Sequence, residues 1–243
     1  MFSVNRTTGN LLLDSVDDAT FDALKSSLAR VHLVKNVPLA EAGAEIDTVW
    51  FPTGAVLSVV TPMHDGQGVE ACMIGPESAY GLLNALGAPM ATDRVIAQVP
   101  GPALRLACAH LKGVSRQNAG LTDLLVRHIQ AHVAQTHQTV ACNALHKVEA
   151  RLCRWLLMLL DRAGPVRLPL TQEFLSFMLG VSRTTVTGAA RSLQAAGLIG
   201  YSRGHLEILD RGGLEEAACE CYHATRERQG QLLGVPGGAL KPL

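Results

Sequence analysis

The chain has 243 residues, of which 48% are hydrophobic and 17% charged, with 21 basic side chains balanced by 21 acidic ones. That length suffices for one large domain or two small ones, and the apolar content excludes a mostly disordered chain. The longest useful apolar run, Trp155 to Leu160, is far below the roughly 18 residues that cross a bilayer, and the start lacks a basic n-region, so neither a membrane span nor a signal peptide is expected and a cytoplasmic location is.

Along the chain, residues 11–30 read as helical, with Leu24, Leu28 and Val31 at helical spacing. Between about 31 and 107, short β-prone runs (Val31–Val34, Thr48–Phe51, Ala55–Thr61, Val69–Ile74, Val95–Val99, Ala103–Leu106) alternate with turn signals such as His64-Asp65-Gly66 and Pro100-Gly101-Pro102. Many short strands at close spacing predict a β-sandwich or barrel-like domain.

From about 110 to 145 the pattern turns helical. Leu121, Leu125, His128, His132, Gln135, Thr139 and Cys142 recur near every 3.5 residues, the spacing of a seam between two helices, most simply two copies of the same one. Five of the nine histidines (His110, His128, His132, His137, His146) fall in this stretch or at its end; the expectation is hydrogen bonding across the seam, not metal binding. A further helix, His146 to Asp161, places Val148, Leu152, Trp155, Leu156 and Leu159 on one face and ends at Ala163-Gly164-Pro165. The six cysteines show no C-x-x-C and are expected to be reduced, with Cys219 and Cys221 on different faces of one helix. No metal and no cofactor is expected.

Charge is unevenly distributed. Residues 1–149 hold 10 basic and 13 acidic side chains, whereas residues 150–243 hold 11 and 8. Within 167–205, Arg167, Arg183, Arg191 and Arg203 face Glu173 alone. The same region has the local grammar of two short helices joined by a turn. Thr171 caps the first, with Leu170 and Leu175 as its hydrophobic staple, and Gly180 supplies the left-handed residue that ends it. Ser182 caps the second, stapled by Val181 and Val186, and Gly197 stops it. Such a pair forms a DNA-reading helix-turn-helix. The DNA-contacting set is then Thr171, Ser182, Arg183, Thr184, Thr187, Gly188 and Arg191. Arg203 joins it from a hairpin wing, Tyr201-Ser202-Arg203-Gly204, flanked by Leu198-Ile199 and Leu206–Ile208. One more helix, Leu214 to Gln229, precedes a Gly/Pro-rich tail. No G-x-S-x-G, P-loop or H-E-x-x-H occurs, so no enzyme is expected.

The stretch LTQEFLSFMLGVSRTTVTGAARSLQAAGLI resembles the helix-turn-helix of the Crp/Fnr family of bacterial transcription regulators, and HKVEARLCRWLL the opening of that DNA-binding domain. Glu41-Ala42-Gly43 and Pro52-x-Gly54 are similar to its cyclic-nucleotide-type β-roll. The resemblance implies an α+β chain: a jelly-roll-like sensor domain over 1–109, a dimerisation helix over 110–145, and a winged helix-turn-helix domain over 146–243. It further implies a homodimer on a palindromic operator, RNA polymerase as a partner, and any switch acting through a hinge near Asn143–Lys147. The reading helix departs from the best-known members, which carry Arg-Glu followed four residues later by Arg. Here these positions are Arg183-Thr184 and Gly188, so the familiar operator does not transfer.

In relatives that bind cyclic nucleotides, a Gly-Glu segment and a later Arg-Ser cradle the ribose and phosphate. Those places hold Gly81-Leu82 and Arg94-Val95 here, and neither Leu82 nor Val95 offers the needed polar group, so cyclic AMP is not the expected effector. The first cysteine is Cys72, which removes an N-terminal iron–sulfur cluster. The alternative is a dimer that senses a cyclic nucleotide, another small molecule or haem and uses its helix-turn-helix for protein contacts.

Overall fold

A computed structural model describes residues 7–164, 168–202 and 204–234. The chain enters through two short helices, α1 (Leu11–Ser15) and α2 (Asp18–Lys25), in place of the single helix expected over 11–30. Two caps cause the break. Asn10 Oδ1 accepts from Leu13 N, and seven residues on Asp17 accepts from Thr20 N, so a new helix starts before the first can extend. Asn10 is also buried, its amide donating to Pro52 O and Ser78 O at 2.8 Å, which staples α1 to the sandwich.

Seven strands follow: β1 (Ala29–Leu33), β2 (Pro38–Ala40), β3 (Thr48–Pro52), β4 (Val56–Pro62), β5 (Gly68–Ile74), β6 (Arg94–Val99) and β7 (Gly101–Ala107), with the short helix α3 (Leu82–Leu86) between β5 and β6. They pair antiparallel into two sheets, β1-β7-β3 and β2-β6-β4-β5, packed around Leu12, Leu24, Val49, Phe51, Leu57, Ile74 and Leu106. This is the expected jelly-roll-like architecture. The run Ala55 to Val60 is apolar but for the buried Ser58, without alternation, because β4 is covered on both sides. Leu57 faces the sandwich interior, whereas Val56 and Val60 join Met73 and Ile96 in a second core shared with the C-terminal helices.

Helix α4 (Cys108–Gln117) ends at Asn118, whose side chain caps the 27-residue α5 (Ala119–Leu145). Helix α6 (Val148–Ala163) follows, and Arg151 to Arg162 are all buried, since α6 lies between the sandwich and the C-terminal helices. After α6 come α7 (Gln172–Leu179), α8 (Arg183–Ala195), the hairpin β8 (Ile199–Ser202) and β9 (His205–Ile208), α9 (Arg211–Ala217) and α10 (Cys221–Leu233). The tail helix expected over 214–229 is thus two helices, interrupted where Ala218 is extended (ψ 153°). The frayed end expected beyond it, residues 235–243, lies outside the described residues. Tyr222, fully buried, donates to Asp161 Oδ2 (2.9 Å), and Arg211 donates to Asp161 Oδ1 (2.6 Å), locking α9 and α10 onto α6.

Candidate nucleic-acid interface and sensor cavity

The helix-turn-helix forms as its local signals dictate. Thr171 Oγ1 accepts from Phe174 N (3.1 Å), Gly180 takes the left-handed conformation (φ 62°), and Ser182 Oγ accepts from Thr185 N (3.2 Å). Leu175, Leu179, Val186, Ala190 and Leu193 are buried between the helices and against α6. The two helices have different fates. α7 lies on the outer face of β5: the approach is so close that a Cβ on Gly68 would sit 2.8 Å from the Phe177 ring. Lys35, from the segment between β1 and β2, donates to Pro169 O and lies over the Phe174 ring.

α8 turns the other way. Ser182, Arg183, Thr184, Gly188 and Arg191 are exposed, and neither arginine makes a salt bridge among the described residues. Gly188 faces open space, so backbone can approach a partner there. Thr187 is half-buried and donates to Gln172 Oε1 (2.7 Å), so its hydroxyl ties α8 to α7. Thr171 and Ser182 spend their side-chain oxygens as caps. The wing forms with β8 and β9 in register from Ile199↔Ile208 to Ser202↔His205, and Leu168 adds an antiparallel bridge to β9 through two 2.9 Å bonds with Leu206. Arg203 lies outside the described residues.

The stripe expected as the dimer seam is turned inward. Leu121, Leu125, His128, Gln135 and Thr139 are buried within the protomer, and His132 is half-buried. Ser78 Oγ lies 3.0 Å from His128 Nδ1 and 2.9 Å from His132 Nε2, so these histidines bond to the loop after β5 and not across a seam. Burial holds His128 down at about 3 and His132 at about 4, both neutral near pH 7. Gln135 donates to Met73 O (3.1 Å) and accepts from Arg162 and from Gln229 (2.9 Å). Arg162 in turn donates through Nε to Glu77 Oε1 (2.7 Å), both side chains being buried. This polar chain joins the sandwich, α5, α6 and α10, and no sequence spacing announced it. A second junction lies nearby: Glu70 accepts from Ser58 (2.5 Å) and Trp155 Nε1 (2.7 Å), and burial pushes it up to about 7.

The solvent-facing strip of α5 is the inward stripe advanced by one residue, about 100° around the helix. Val126, Ile129, Val133, Thr136, Val140 and Asn143 follow a 3-4 heptad spacing, and the three valines are 42%, 47% and 65% exposed. Beside this strip a cavity of about 590 Å³ opens between the sandwich and α5, walled by Cys72, Tyr80, Leu82, Met90, His132 and Val133. Of the expected effector-site remnant, Gly81 and Leu82 line it. Val95 is buried in the sandwich core, and Arg94 points away to Glu41 (3.4 Å). Asp93 is the one carboxylate that lines the cavity, His132 and His137 also line it, and its lining holds neither lysine nor arginine.

Residues 150–217 match the Crp-like helix-turn-helix domain. Three solved structures share the fold across most of the chain. One, described as a transcriptional regulator of the Crp/Fnr family from Eubacterium rectale, aligns with TM-score 0.69 at 17% identity, covering 85% of this chain and 96% of that one. FixK2 from Bradyrhizobium japonicum aligns at 0.67 and 14% identity, covering 79% and 98%. A CRP-family transcriptional regulator from Thermus thermophilus aligns at 0.65 and 18% identity, covering 78% and 96%. No curated protein matches in sequence. The protein therefore has the fold of Crp/Fnr-type transcription regulators, and its last domain is a Crp-like helix-turn-helix domain. No helix among the described residues is long and apolar enough to cross a membrane.

Proposed function

We propose that the protein is a cytoplasmic, homodimeric transcription regulator that reads a two-fold-symmetric operator through α8. The observation that carries this reading is the uncovered face of α8: α7 is occupied by the sandwich, while Arg183, Thr184, Gly188 and Arg191 face solvent, the two arginines without a salt bridge among the described residues. Arg183 reads a base, bidentate to guanine, and Arg191 and Thr184 hold phosphates or neighbouring bases. Contact with RNA polymerase belongs to the same proposal and is supported by the family resemblance.

Arg183→Ala is expected to cost about 1–3 kcal/mol on the best site selected from random DNA and to relax specificity at one base pair. Equal weakening on all sequences would reassign Arg183 to the backbone. Binding should also fall steeply with salt as counterions are released; salt-independent or absent binding to every DNA pool would instead assign the helix-turn-helix to protein contacts.

The dimer forms along the exposed heptad of α5, with β-branched valines at alternate core positions as parallel two-stranded coils favour. Val133→Asp with Val140→Asp should give a monomer in analytical ultracentrifugation and lose binding to two-half-site DNA, while the melting temperature of the protomer stays close to wild type. A dimer that survives both substitutions would move the interface elsewhere. The effector, in this reading, is uncharged and largely apolar, because the cavity offers no lysine or arginine to a cyclic phosphate.

A further inference from the structure

Four side chains far apart in sequence meet where α5 gives way to α6. Cys142 lies in the last turn of α5 and His146 at its C-cap, while Cys219 and Cys221 come from the junction of α9 and α10. Their ligand atoms, three Sγ and an imidazole nitrogen, all lie within 4.8 Å of one another. Cys142 Sγ is 3.4 Å from Cys219 Sγ, and Cys221 Sγ is 3.5 Å from His146 Nδ1. A tetrahedral ion with bonds of about 2.0–2.3 Å separates its ligand atoms by roughly 3.5 Å, so only small side-chain shifts are needed. The helix geometry expected for Cys219 and Cys221 would have pointed them apart, but α10 begins only at Cys221 and Cys219 sits in the extended link before it. The expectation of no metal missed this cluster, although the four-residue step from Cys142 to His146 and the C-x-C of 219–221 were both visible in the sequence.

We propose that Cys142, His146, Cys219 and Cys221 form a Cys₃His binding site for zinc(II). The surroundings supply what such a centre needs. His146 turns Nδ1 toward the sulfurs and Nε2 toward Glu220 Oε1 (3.2 Å), the outer carboxylate that orients a metal-bound imidazole. Gln138 Nε2 donates to Cys221 Sγ (2.9 Å). Zinc with three thiolates and a neutral imidazole carries one net negative charge. Two buried arginines of α6, Arg151 and Arg154, lie within electrostatic reach of Cys142 and Cys219 and make no salt bridge to a carboxylate among the described residues. The Nε of each has no hydrogen-bond partner among the described residues, although Arg151 donates through Nη2 to Leu179 O and Arg154 through Nη1 to Met158 Sδ. A thiolate-rich centre would place a negative charge beside these two cations, Arg154 also lying within electrostatic reach of Glu70. On binding, the three thiols release their protons to solvent and the sulfurs bond to the metal without change of oxidation state. The ion then joins the end of α5, the α5–α6 joint and the α9–α10 joint at one point.

The test is zinc content of the full chain purified without chelator, followed by cobalt(II) titration of the metal-stripped, fully reduced protein. About one zinc per chain is expected, with cobalt giving the intense visible bands of a tetrahedral site and sulfur-to-metal charge transfer. Cys219→Ser with Cys221→Ser should lose both signals, Cys153→Ser should keep them, and His146→Cys should retain metal as a Cys₄ site. Glu220→Gln should weaken metal binding about 10- to 100-fold. Reduced wild-type protein that takes up neither ion, or a double serine variant that still binds at full stoichiometry, overturns the proposal; so does a Cys142–Cys219 disulfide that yields no metal site after reduction.

Discussion

Replacing Arg162 by methionine is expected to destabilise the protein by about 3–5 kcal/mol, because it leaves the Glu77 carboxylate buried without its cation. Both side chains of this pair are almost fully enclosed, and Glu77 has only the amide of Gly75 as a second donor to Oε1. The cost is asymmetric: removing both charges should hurt far less than removing one, since well-packed neutral groups tolerate burial. Thermal or urea unfolding of Arg162→Met, Glu77→Gln and the double variant measures this directly. The double variant should be more stable than the sum of the two single losses predicts, by at least 1 kcal/mol or so. Additive losses would mean that the pair is held by packing and not by charge. Because Arg162 also donates to Gln135, the same change should loosen α5 and α10 from the sandwich, visible as faster amide exchange in those helices.

Acidification should be the second large effect. His128 and His132 are held at about 3 and about 4 in the folded protein, against about 6.5 when exposed. Between those limits the unfolded chain binds more protons, so stability rises with pH up to about 6.5 and is lost as pH falls below it. Burial is the main cause for both. His128 is further discouraged from charging by His132 and Arg127; for His132 the nearby Glu77 carboxylate offsets part of the burial effect, and Arg162 opposes that carboxylate more weakly. Glu70 works in the opposite direction. Its folded value of about 7 lies above that of a free carboxyl, so it weakens the fold as pH rises from about 4.5 to 7. With two histidines against one carboxyl, stability should peak at about pH 7, with a steep acid limb worth several kcal/mol. Unfolding free energy followed from pH 4 to 8 checks this. His128→Asn with His132→Gln should flatten the acid limb, and Glu70→Gln should stabilise at pH 8 but not at pH 4.5. An acid limb unchanged in the histidine variants would assign acid lability to other groups.

The helix-turn-helix was legible because its determinants are local: Thr171, Gly180 and Ser182 act on backbone within a few residues of themselves. The sandwich was legible as a class for a similar reason, from strand-length runs between turn residues. The face of α5 was not. Two stripes offset by one residue both read as seams, and the inward one contains His128, Gln135 and Thr139. His128 and Gln135 are satisfied by Ser78, Met73 and Arg162 arriving from other elements, while Thr139 donates to Gln135 O within its own helix. The same holds for Arg94, which a linear alignment places near a phosphate and the fold directs to Glu41. Long-range partners decided these two cases, whereas the break between α1 and α2 came from the local caps Asn10 and Asp17.

The proposed pairing helix has one further consequence, for the company the protein keeps. Among the 27 residues of α5, only Asp123 and Arg127 carry a full charge, and both precede the run from Val133 to Asn143. Coiled helices normally reject foreign chains by clashes between charges flanking the seam. This helix has almost none, so its choice of mate rests on the shape of three valines. A related chain with a similar apolar strip would meet little electrostatic resistance, and mixed pairs reading two unlike half-sites become chemically accessible.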